Sequence, residues 1–126
     1  RTDLARLLAR RRIVASVLMP VELHSAFARR VREGTLATIY QPRLFERIAT
    51  DRRHWTLIEV TGRVLTAAQE LLEHYPLRTL DAVHLASAQM FVARTGASLI
   101  FVSSDVRQLA AATRLGLKVA PIAAPA

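Results

Sequence analysis

The sequence predicts an α/β fold, a short parallel sheet flanked by helices. Strand-like and helix-like segments alternate along the whole chain, the pattern of parallel strands joined by helical crossovers. The strand candidates are short and nearly all apolar, as in SLIFV at 98–102, which fits strands covered on both faces. A length of 126 residues is enough for one hydrophobic core and too little for two, so residues 1–126 are expected to form one domain.

The elements follow in order. TDLARLLARR places Leu4, Leu7 and Leu8 at helical spacing behind Thr2, a candidate cap, with Arg6 and Arg10 to Arg12 on the other side. RIVAS (12–16) is a β-branched strand candidate. The next helix has Pro20 in its first turn, Leu23, Phe27 and Val31 on one face, and Gly34 as its stop. Residues 35–55 read as helical, broken at Pro42, with Leu44, Phe45 and Ile48 as the buried stripe; TLIEV (56–60) is a strand. From Thr61 to Tyr75 the apolar positions Val64, Leu65, Ala68, Leu71, Leu72 and Tyr75 keep a 3.6-residue period up to Pro76. Thr79 is a candidate cap for LDAVHLASAQMFVAR, which Gly96 closes. SLIFV, the helical SDVRQLAAATRLG (104–116) and the strand LKVAPI (117–122) complete the domain, and the Ala-rich residues 123–126 are expected to be a frayed tail.

Composition removes several classes of function. The chain has no cysteine, which excludes disulfide scaffolds, thiolate metal sites and cysteine nucleophiles. No apolar run approaches the ~20 residues of a membrane span, and the first residues lack the apolar segment of a signal peptide, so the expectation is a cytoplasmic protein without a membrane partner. Eighteen basic residues against ten acidic ones give a net charge of +8, and seventeen of the eighteen are Arg. Twelve bases and five acids fall in residues 1–53, so nearly all the excess belongs to the first half. That balance makes polyanions, nucleic acid first, the expected partner class.

In parallel sheets ligands bind beyond the carboxyl ends of the strands. Three acids occupy such places: Glu22 in the helix after RIVAS, Asp81 in the first turn of the helix leading to SLIFV, and Asp105 three residues beyond SLIFV. A helix first turn favours any carboxylate through its dipole, which accounts for each acid alone. Three of ten acids at comparable topological places fit convergence better, and converging carboxylates hold hard cations such as Mg2+ or Mn2+. Acids of this kind in a basic protein point to a metal-dependent phosphodiesterase.

The segments ASVLMPVELHSAFAR, LRTLDAVHLASA and FVSSDVRQLAAATRLGLKVAPI, in that order and spacing, resemble the PIN-domain ribonucleases, most closely the VapC-type toxins of bacterial toxin–antitoxin pairs. LRTLDAVHLASA is the most specific of the three, and the Glu22 segment the least. The resemblance implies a three-layer PIN-like fold and an endoribonuclease whose Mg2+ or Mn2+ is held by Glu22, Asp81 and Asp105, with the metal activating water. It also implies that the Ser103 hydroxyl orients a carboxylate or metal-bound water, that a cognate antitoxin silences the toxin, and that the chain forms a homodimer. One departure stands against this. The family opens on a central strand ending in an Asp, and nothing in RTDLARLLARRR matches it; Asp3 has no apolar strand before it. The expectation is that the strand and its Asp lie upstream of Arg1, in preference to a protein that lacks them; a strand supplied by another chain is the third alternative.

The remaining candidates are weaker. His84 shares a helical face with Asp81, but no metal-binding His spacing occurs, and packing or a bond to a backbone carbonyl is expected for it. The Arg clusters at 10–12, 29, 30 and 32, and 52 and 53 suit RNA phosphates as a patch, while each Arg singly reads as a solvated helix face. Two functions stay open: a metal-dependent ribonuclease toxin, or a non-catalytic PIN-like module that binds RNA or protein.

Overall fold

The computed structural model describes residues 11–122. The predicted α/β class is observed there, in the order β1 (Val14–Ser16), α1 (Met19–Arg32), a 3-10 turn (Thr38–Tyr40), α2 (Gln41–Asp51), a second 3-10 turn (Arg52–His54), β2 (Thr56–Ile58), α3 (Gly62–His74), α4 (Thr79–Thr95), β3 (Ile100–Ser103), α5 (Val106–Arg114) and β4 (Lys118–Pro121). The helix expected over TDLARLLARR and the tail at 123–126 lie outside the described residues.

The strands form two parallel pairs. β1 runs beside β2, with Val14 opposite Thr56 and Ser16 opposite Ile58, and β3 runs beside β4, with Ile100 opposite Lys118 and Ser103 opposite Pro121. Parallel pairing requires a long return crossover. Here α1 and α2 return the chain to β2, and α5 returns it to β4. Among the described residues no strand joins β1 to β3.

Local sequence explains most boundaries. The Thr61 hydroxyl accepts the Val64 N–H and caps α3. Gly96 ends α4 at φ 69°, a left-handed conformation open to glycine without strain. Pro42 lies in the first turn of α2, where its missing N–H breaks no hydrogen bond, so it starts that helix rather than interrupting one. The capping residue of α4 is Arg78, in an extended conformation and without a side-chain cap bond; Thr79 is already helical.

The core lies where α3, α4 and α5 meet. Val64, Ala68 and Leu71 of α3 pack with Ala82, Val83, Leu85 and Ala86 of α4 and with Ala111 and Ala112 of α5. The alanines let the helix backbones approach closely, and α4, which also packs against β1, buries residues around much of its circumference. Only part of the apolar stripe of α3 reaches this contact: Leu65 and Leu72 are exposed. Outside this cluster His24 of α1 stacks on Phe45 of α2 with ring centroids 4.3 Å apart, and its Nδ1 lies 2.8 Å from the Pro20 carbonyl oxygen. This arrangement sets the first turns of α1, α4 and α5 beyond or beside the carboxyl ends of β1 and β3.

Candidate active site

β1 and β3 end in the same way. Each finishes on a buried serine, Ser16 or Ser103, whose hydroxyl accepts the N–H two residues on, from Leu18 at 3.1 Å or from Asp105 at 3.0 Å. This short turn stops the strand and satisfies a backbone donor that would otherwise be orphaned. An acid follows each turn, Glu22 in the first turn of α1 and Asp105 at the N-cap of α5.

Asp105 is held through one oxygen. Its Oδ1 accepts the N–H groups of Arg107 (2.9 Å) and Gln108 (3.3 Å), which caps α5. Its Oδ2 faces the Arg78 guanidinium, with Nη2 at 3.9 Å. Asp81, in the first turn of α4, presents Oδ2 to the same guanidinium, 3.4 Å from Nε. Both aspartates line an open pocket of about 360 Å³ together with Pro76, Arg78 and Arg107.

Gln108 ties the two aspartates to one scaffold. It is buried, and its Oε1 accepts the Ser103 hydroxyl proton at 2.7 Å while its Nε2 donates to the Asp81 carbonyl oxygen at 3.1 Å. Its own N–H already reaches the Asp105 carboxylate. A single side chain thus links the end of β3, the cap of α5 and the first turn of α4. Ser103 serves this linkage, bonding Gln108 and the Asp105 main chain rather than a carboxylate. Buried polar chains with every member bonded fix geometry firmly, because leaving one member unsatisfied costs about 1–3 kcal/mol.

Glu22 is engaged differently. Its Oε1 lies 2.7 Å from Nε2 of His84, one turn along α4 from Asp81. A carboxylate only accepts, so Nε2 carries the proton of this bond. The His84 side chain is 10% exposed, and its Nδ1 is buried without a hydrogen-bond partner among the described residues. His84 therefore bonds a side chain 62 residues away, where its sequence suggested packing or a bond to a backbone carbonyl.

Of the three acids marked in the sequence, the structure gathers Asp81 and Asp105 on one pocket, and Glu22 is not among that pocket's lining residues. Among the described residues no group of three or more His, Asp or Glu is close enough to hold one metal ion. The pair nevertheless suits a hard divalent cation. Asp105 spends one oxygen on its helix cap and leaves the other toward the pocket, Asp81 faces the same space, and the opening leaves room for retained waters. Mg2+ is commonly held by one or two carboxylates plus water and phosphate oxygens. Two residues without an individual sequence signal complete the site: Arg78, which no charge cluster marked, and Gln108, whose partners lie 5 and 27 residues away.

The sequence profile of the PIN domain matches residues 1–114. Searches among curated proteins and among solved structures return no match.

Proposed function

The chain belongs to the PIN domain family, and we propose that it is a divalent-metal-dependent endoribonuclease acting through Asp81 and Asp105. PIN domains are in general metal-dependent nucleases. The observation that carries the assignment to this pocket is the linkage through Gln108, which fixes one aspartate relative to the other while leaving an oxygen of each toward a common space. Mg2+ or Mn2+ bound there supplies activation of water and offsets charge developing on the phosphodiester. Asp81 and Asp105 hold the ion, Glu22 is the third acid of the set, and Ser103 acts with Gln108 to keep the Asp105 turn in place. The Arg-rich first half of the chain attracts the RNA backbone.

Within the family we assign the chain to the VapC-type toxins, inhibited by a cognate antitoxin, homodimeric and cytoplasmic. The assignment rests on LRTLDAVHLASA and FVSSD with the following RLGLKV. Leu80 and Val106, exposed beside the two aspartates in sequence, offer apolar surface to a protein partner. One observation favours a second reading, a non-catalytic RNA- or protein-binding module: the described residues hold no cluster of three metal-binding side chains.

RNA cleavage by the full chain with Mg2+ or Mn2+ separates the two. The nuclease reading expects EDTA-sensitive cleavage that falls roughly a hundredfold or more in Asp81→Asn, the scale of losing one preorganised charge at a reacting centre. Equal activity in the variant would sink the assignment, and RNA binding without cleavage would favour the module.

A further inference from the structure

The two carboxylates of the candidate metal site already share a cation. Arg78 reaches Asp81 through Nε and Asp105 through Nη2, bridging residues that lie 24 positions apart and on different helices. Among the described residues no other basic side chain forms an ion pair with either aspartate. Its backbone holds it at this place, because Arg78 is the extended residue on which α4 starts. Its side chain is 83% exposed, and the contacts at 3.4 and 3.9 Å are long for charge-assisted hydrogen bonds. The contact is thus screened and easily given up.

Once the contact is released, charge decides where the guanidinium goes. Asp81, Asp105, Arg78 and Arg107 give the pocket lining a formal charge of zero. A divalent cation on the two carboxylates raises that to +2 and places it beside a guanidinium whose partners are now occupied. A phosphodiester then lowers the excess, and a released guanidinium matches a phosphate with two parallel N–H donors. We propose that Arg78 has two positions: counter-cation of Asp81 and Asp105 in the ion-free protein, and phosphate-positioning residue once the carboxylates hold a divalent ion. This rests on the metal-dependent reading above and names the residue that couples ion binding to substrate binding at that site. The same exchange keeps the two like charges compatible without the ion, when mutual repulsion would otherwise push them apart.

The test is a Mn2+ titration of the full chain without RNA, read by electron paramagnetic resonance, for wild type, Arg78→Gln, Arg78→Lys and Arg94→Gln. Arg94, in the last turn of α4 and outside the pocket lining, controls for the loss of one positive charge. Removing the resident cation should tighten Mn2+ binding roughly two- to tenfold in Arg78→Gln, the range of one or two screened ion pairs. Arg78→Lys should return toward the wild-type affinity, and Arg94→Gln should match it. With saturating Mn2+, the KM for RNA should rise several-fold in Arg78→Gln with a smaller change in kcat. Mn2+ affinity unchanged or weakened in Arg78→Gln overturns the counter-cation role, and an unchanged KM overturns the phosphate role. Absence of Mn2+ binding by the wild type overturns the metal-dependent reading itself, and with it this proposal.

Discussion

The carboxyl ends of β1 and β3 are built alike and used differently. Both strands stop on a buried serine that accepts the N–H two residues later, and both are followed by a carboxylate near a helix start. Beyond β1 the acid is Glu22, and its partner is a nearly buried imidazole. Beyond β3 the acid is Asp105, anchored by backbone N–H groups on one oxygen and open to a pocket on the other. A carboxylate committed to a buried donor is structural before it is chemical. One whose fixed oxygen is satisfied by the backbone keeps its second oxygen for a ligand. The β3 end is therefore the half on which the proposed ion site rests, and His84 joins the β1 end to it along α4.

Short of removing a carboxylate, the larger effect comes from breaking the β3 end without touching either aspartate. Gln108→Leu keeps the bulk and removes the amide, leaving the Ser103 hydroxyl proton without its acceptor and freeing the Asp81 carbonyl from its long-range partner. Chemical denaturation should show a loss of about 1–3 kcal/mol, and RNA cleavage should fall by about tenfold or more in protein that remains folded, since small misplacements at a reacting centre are expensive. Wild-type cleavage in a folded Gln108→Leu protein would show that Gln108 does not position the aspartates.

A smaller effect probes the β1 end. A double-mutant cycle over Glu22→Ala and His84→Ala should give a coupling of about 0.5–1.5 kcal/mol in unfolding free energy, kept modest because Glu22 remains 35% exposed to screening water. A coupling near zero would leave the 2.7 Å bond without energetic weight and make the two strand ends alike after all.

The two strand ends also differ in how far the sequence reveals them. Alternating apolar strands and periodic helices point to the α/β class, and the Asp81 and Asp105 patterns are legible because each acid sits at a helix start with a local signature. Gln108 looks like any polar residue of an amphipathic helix, since its meaning depends on the Asp81 carbonyl 27 residues away. His84 presents the same difficulty, with its partner 62 residues off. Leu65 and Leu72 keep the helical period of α3 yet face solvent, because α4 covers only one side of that stripe. Thr79 has the chemistry of a cap but lies one residue inside the helix, so its hydroxyl caps nothing. Short-range chemistry is visible in the sequence and long-range partnership is not.

If Asp81 and Asp105, held in register by Gln108, form the divalent-cation site, anomalous diffraction from crystals of the full chain grown with Mn2+ will show it directly. The expected result is a peak within coordination distance of Asp81 Oδ2 and Asp105 Oδ2, with the Arg78 side chain displaced from both. A peak on other residues, or none at Mn2+ concentrations that support RNA cleavage, would contradict it.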